Sequence, residues 1–249
     1  MPPTSINSDL GAQLAANRDK IHARIAAAAQ KAQRDPASIQ LVAVTKSVAP
    51  AVARQLFALG ETDLAENRIP SFDAKLQDFA EHAKTQPTWH FIGHLQRNKA
   101  RRVIERSPVI HSIDSLRLLQ HVARIAAELQ LERAVYLQVK IADEDAKSGF
   151  MPDELEPALE VAAAATHLKL AGLMCMAPLC PGRTPEERRA AAQHTFHQTR
   201  ELGAKWPELQ LGLSMGMTGD FEEAIAAGST AVRIGSAFFE GLDKGSPHV

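Results

Sequence analysis

Tyrosine is nearly absent from this 249-residue chain: there is one, Tyr136, and aromatic residues are only 5% of the sequence. A surface that stacks bases on aromatic platforms is therefore not expected. Cysteine is equally scarce. Cys175 and Cys180 cannot build a disulfide framework, and no further Cys or His at clamp spacing joins them in a zinc site. Charge of one sign is also missing, since 28 Lys and Arg face 29 Asp and Glu for a net charge of −1, which removes any bulk attraction to polyanions or membranes. No stretch approaches the roughly 18 apolar residues of a membrane span, and the opening MPPTSINSDLGAQL lacks the basic and apolar regions of a secretory signal. A soluble cytoplasmic protein is expected, with no metal, nucleic-acid or membrane partner.

What is present is an apolar fraction of 45%, enough for a sizeable core in one α/β domain spanning residues 1–249. From Ser8 to about Arg34, Leu10, Leu14, Ile21, Ile25 and Ala28 recur at helical spacing and predict an opening helix. QLVAVTK, residues 40–46, is a β-branched run after a proline-containing turn and reads as a buried parallel strand. Seven more short apolar runs follow, at 63–66, 88–93, 109–113, 134–141, 168–174, 211–215 and 231–235, most of them separated by amphipathic helical stretches. Eight strands alternating with helices between about 40 and 241 predict a (β/α)8 TIM barrel; an open doubly wound sheet is the alternative. The turn-rich loop from Pro178 to Pro185 is expected to cover part of one barrel mouth.

Active sites of such barrels lie at the carboxyl ends of the strands, so the polar residues closing each run carry the chemistry. Lys46 closes the first. Its stem is expected in the mouth, where partial desolvation favours the neutral amine needed for a Schiff base; a solvated or ion-paired lysine is the plain alternative. Thr218, Gly219 and Asp220 leave the seventh strand, and Asp220 with Glu223 has capping-box spacing, so a helix start is expected there. Gly235 and Ser236 join the last strand to a short helix. Both elements fall where barrels bind phosphate, after strands seven and eight. Arg233 points into the barrel by alternation, and an ion pair with Glu66 competes with contact to a heterocyclic cofactor. Asn67 and His90 are candidates for lining the mouth. His90 and His94 are four apart, but Gly93 breaks the run and no HExxH glutamate is present, so a metal site is not expected. The basic cluster Arg97, Lys99, Arg101 and Arg102 reads as a solvated helix face.

Together LVAVTK, ENRI, WHFIGHLQRNK, HSIDSL, LQVKIADEDAKSGF, GLMCMAP, LSMGMTGDFEEAI and GSTAVRIGSAFF resemble, in order and over nearly the whole chain, the pyridoxal phosphate homeostasis protein family, also called proline synthase co-transcribed homologue proteins and related to the barrel domain of alanine racemase. The resemblance implies pyridoxal 5′-phosphate (PLP) held as a Schiff base on Lys46. Asn67 and His90 would lie beside it, Ser214, Met215, Thr218, Gly235 and Ser236 would surround its phosphate, and Arg233 would face the pyridine nitrogen. An arginine there should leave that nitrogen unprotonated and weaken PLP as an electron sink.

Ala65, Pro70, Ser71, Lys140 and Thr218 depart from the family pattern; Pro70, lacking an N–H, puts the shape of the loop after strand two in question. The resemblance implies a cofactor carrier with PLP-dependent apoenzymes as recipients. The alternatives are a weak amino-acid racemase, for which Tyr136 sits badly as a second base, and a cofactor-free Schiff-base aldolase. A monomer is expected, without the second domain through which racemases of this type dimerise.

Overall fold

The computed structural model describes residues 6–141, 148–178, 182–242 and 245. The chain runs α1 (Ile6–Lys31), β1 (Gln40–Val44), α2 (Pro50–Ala58), β2 (Asp63–Glu66), α3 (Ile69–His82), β3 (Thr88–Phe91), α4 (Ala100–Arg106), β4 (Val109–Ile113), α5 (Leu116–Leu129), β5 (Arg133–Gln138), α6 (Leu155–Ala164), β6 (Leu168–Met174), α7 (Pro185–Gly203), β7 (Gly212–Ser214), α8 (Phe221–Ala226) and β8 (Ala231–Ile234). All eight strands are parallel, and β8 closes on β1 with Val42 beside Arg233. The expected TIM barrel is the fold, and the open sheet is excluded by that closing pair.

Strand alternation divides the apolar residues into two sets. Ala43, Leu64, Phe91, Ile110, Leu137, Leu173, Leu213 and Val232 face outward and pack under the helices as the main core. Inward, Val42, Val44 and Ala65 form a separate small cluster with Ile92. The rest of the interior is largely polar, where barrels of this class are usually filled by branched apolar side chains. Ala65 thus occupies a tight inner position where a small side chain fits.

The opening helix is shorter at its end than expected. Gln33 adopts a left-handed conformation (φ 55°) and the amide of Arg34 turns back to the Ala29 carbonyl, which stops α1 at Lys31. Asn17 of α1 donates to the carbonyls of Phe238 and Glu240 at 3.0 and 2.9 Å, and Arg34 donates to those of Ile225 and Ser229 at the end of α8. The helix is therefore tied to the two elements that follow β7 and β8. Among the described residues no helix is long and apolar enough to cross a membrane, and no group of His, Cys, Asp and Glu could hold a metal.

Candidate cofactor site at the carboxyl mouth of the barrel

β1 ends at Val44, and Thr45 to Val48 form a tight turn in which the Val48 amide reaches the Thr45 carbonyl at 3.1 Å. Lys46 lies in this turn, at the same parity as the inward-facing Val42 and Val44, and is exposed. The strand thus stops two residues earlier than expected, and the amine is presented at the mouth in solvent contact instead of being desolvated within it.

The loop after β2 is fixed from below. Glu66, on the outer face of β2, is wholly buried and accepts from the Thr45 hydroxyl (2.6 Å), the Ser71 hydroxyl (2.8 Å) and Lys75 (2.9 Å). Ser71 in turn accepts from Lys75 at 2.9 Å. The departure at Ser71 is thereby absorbed into a satisfied network. Pro70 sits in the first turn of α3, where its missing N–H would have had no helical partner, so the loop is not distorted by it. Asn67 is half-buried at the mouth, and Gly93 backs it so closely that a Cβ there would stand 2.1 Å from the Asn67 carbonyl oxygen.

After β7, Gly216 takes φ +94° against α8, and the Met217 amide donates to Asp220 at 2.6 Å. The expected capping box is not formed, because that bond takes the Asp220 carboxylate and Glu223 pairs with Arg189 instead. A capping box does form at α7, between Thr184 and Glu187. The Thr218 hydroxyl accepts from the Gly235 amide at 3.3 Å and so joins the β7 and β8 loops. Beyond Gly235, Ser236–Phe239 form one 3-10 turn whose opening amides have no acceptor within it. Thr218, Ser236 and Ala237 line a cleft of about 530 Å³, with Arg24 at its edge. Gly235 also approaches β1, since a Cβ on it would lie 3.2 Å from the Val44 carbonyl. The cradle and the turn bearing Lys46 are therefore neighbours.

Ser214 and Met215 do not belong to that cradle surface: both are fully buried, the Met215 amide bonds the Ala231 carbonyl, and the Ser214 hydroxyl turns into the barrel. Arg233 meets it there. Its guanidinium donates to the carbonyl and hydroxyl of Ser214 at 2.6 and 2.5 Å and to the Cys175 carbonyl at 2.9 Å. The ion pair with Glu66 does not form, because Glu66 has outward parity and Arg233 inward. Burial pushes the guanidinium below its ordinary value, opposed by nearby groups including Asp220, and arginine remains charged. The guanidinium carries five N–H donors, more than these acceptors use.

His90 is not at the mouth. It is buried inside the barrel, with Nε2 3.0 Å from Asp63 and Nδ1 2.8 Å from Nε2 of His111. His94 is exposed and pairs with Asp114 at 3.1 Å, so the two histidines point apart and make no metal pair. The basic cluster is a solvated face: Arg101 pairs with Glu128, and Arg102 with Asp73. Cys175 is buried; Cys180, the centre of the loop expected over the mouth, and the ADEDAK stretch fall outside the described residues.

The alanine racemase N-terminal domain model matches residues 16–243. The pyridoxal phosphate homeostasis protein of Pseudomonas aeruginosa is 38% identical over 237 residues, covering 94% of this chain and 98% of that one. The chain belongs to the pyridoxal phosphate homeostasis protein family. The Synechocystis member is 40% identical over 208 residues, 82% of this chain and 92% of its own. PipY of Synechococcus elongatus, solved with PLP bound, is 36% identical with a TM-score of 0.74, covering 88% of this chain and 99% of that one. An alanine racemase of Clostridium difficile, at 15% identity and TM-score 0.67, shares the fold.

Within this family member the residues missed in the sequence are Asp63 and His111, and Tyr136, weighed there only as a second base, has its place beside them. Each lies at inward parity inside a strand, and each has its partner on another strand. The signal was three polar side chains within otherwise apolar runs.

Proposed function

We propose that this chain holds PLP as a Schiff base on Lys46 and serves cofactor homeostasis, with no vigorous turnover of its own. The observation that carries the reading is the adjacency of an inward-parity lysine at the end of β1 to the Thr218–Gly235–Ser236 cradle, with buried Arg233 below. These residues fit the group: two hydroxyls and the opening amides of a 3-10 turn suit a phosphate, and Asn67 faces the same mouth from β2. A relative solved with PLP bound supports PLP as the group held here.

Bound PLP supplies an electron sink for carbanions at amino-acid carbons. Arg233 donates and does not readily release a proton, so it leaves a ring nitrogen facing it unprotonated and weakens that sink. Tyr136 gives no second base at the mouth, since it is buried in β5 with its ring stacked on His111 at 4.5 Å. A carrier follows, with PLP-dependent apoenzymes as recipients. A monomer fits the exterior: among the described residues the exposed large hydrophobics are Met151 and Met176.

Loading the purified protein with PLP tests the reading. A visible absorbance band that Lys46→Ala abolishes is expected; a protein that takes up no PLP refutes it. Sedimentation tests the monomer.

A further inference from the structure

An unbroken line of side chains crosses the barrel interior. At the amino end, Asp63 opens β2, is partly exposed, and accepts from Gln40 at 2.9 Å and from the His90 ring at 3.0 Å. His90 meets His111 at 2.8 Å, His111 Nδ1 meets the Ser214 hydroxyl at 2.8 Å, and Ser214 meets Arg233 at 2.5 Å. Five residues from β2, β3, β4, β7 and β8 are thus joined from one end of the barrel to the level beneath the mouth. Tyr136 stacks on His111 from β5 and closes that side.

The ends of this line fix its direction. Arg233 can only donate, and an ionised Asp63 can only accept. Ser214 Oγ accepts from Arg233 and, with both imidazoles neutral and Asp63 taking the His90 Nε2 proton, its own hydrogen goes to His111 Nδ1. That leaves the His111 proton on Nε2, where it is given to His90 Nδ1, and the His90 proton on Nε2, where it is given to Asp63. Every link then has one donor and one acceptor, and both imidazoles are neutral Nε2–H tautomers. An added proton on His90 would reverse His111, aiming its Nδ1–H at a serine oxygen that already accepts from Arg233. That oxygen has two lone pairs and can accept both, but its own hydrogen then loses the His111 acceptor, so the neutral line is the fully paired one.

Taking Arg233 as the residue that faces the cofactor ring, which rests on the function proposed above, we propose that Asp63, His90, His111 and Ser214 are positioning residues: a one-way hydrogen-bond relay that holds Arg233 in the orientation it presents to PLP. The carboxylate at the far end of the barrel sets the tautomers, and the tautomers set the arginine.

The test uses the full chain labelled with ¹⁵N-histidine, with and without PLP. Long-range proton–nitrogen correlation of the unloaded wild type should show two buried imidazoles protonated at Nε2 and bare at Nδ1. Asp63→Leu, which removes the acceptor, should mix the tautomers and weaken PLP retention about ten-fold, the scale of one hydrogen bond to a charged group. Asp63→Asn, which keeps an acceptor oxygen, should restore both. Ser214→Ala breaks the line next to Arg233 and should weaken retention while leaving the His90 tautomer intact, which serves if Asp63→Leu does not fold. Wild-type retention in Asp63→Leu and Ser214→Ala, or a protonated Nδ1 in the wild type, overturns the relay. A wild type that takes up no PLP overturns the cofactor reading instead, and the tautomers of the same unloaded protein still decide the relay's direction.

Discussion

Glu66 and Lys75, both with no exposed side-chain surface, stand 2.9 Å apart beneath the loop that carries Asn67. Burial pushes the Lys75 ammonium below its ordinary value, and the charge and hydrogen bond of Glu66 oppose the shift. Neither charge has water to fall back on. Lys75→Met should therefore cost about 3–5 kcal/mol by stranding a buried carboxylate. Chemical denaturation checks this, and the double variant Glu66→Gln/Lys75→Met should recover most of the loss. A single variant as stable as the wild type would remove the pair from any role in seating the loop.

His111 makes a prediction about pH. Burial, followed by repulsion from His90 whenever that ring is protonated and from Arg233, holds its pKa well below the ordinary imidazole value. In the unfolded chain it takes a proton as pH falls through about 6.5. The folded protein does not, so the unfolded state binds more protons there and stability is lost as pH falls. The contribution is at most about 1.4 kcal/mol per pH unit and vanishes above the unfolded pKa. Urea midpoints between about pH 8 and pH 5 should show a plateau and then this decline. His111→Gln should flatten the decline by one proton, and an unchanged slope would mean that His111 titrates alike in both states.

The cradle after β7 depends on Gly216. Its φ is +94°, and an added Cβ would lie 2.6 Å from the Cβ of Ala224 and 2.9 Å from the Cα of Phe221. Gly216→Ala should cost about 1–3 kcal/mol through overpacking and strain, and should weaken PLP retention as the loop shifts. Gly219 has open space around its Cβ position. Gly219→Ala should leave the denaturation midpoint near the wild type's, and equal effects of the two variants would contradict the assignment.

Most of the architecture was legible because each strand is a short apolar run closed by polar or glycine residues, and β2, β4 and β6 match their expected bounds. The side-chain partners were less so. Period-2 alternation says that Arg233 faces inward, and applied to β2 it also puts Asp63 and Ala65 inside and Glu66 outside. Following that parity across strands would have ruled out the Arg233–Glu66 pair. The line from Asp63 to Ser214 could not be read, since it depends on which residues of four separate strands share a level. Asp220 misled because spacing alone does not show that its carboxylate is already taken by the Met217 amide.

Slow chemistry is expected of the loaded protein. With Tyr136 held in the interior and Arg233 facing the ring as proposed above, racemisation of alanine or serine followed by chiral analysis should stay far below the about 10 turnovers per second of an ordinary enzyme. Turnover at that level would refute the carrier reading and favour a racemase.

The proposed cofactor site depends on Lys46. Borohydride reduction of the PLP-loaded protein, followed by peptide mass analysis, tests it most directly. A pyridoxyl group on the peptide containing Lys46 is the predicted result; an unmodified Lys46, with the label elsewhere or absent, would contradict the account.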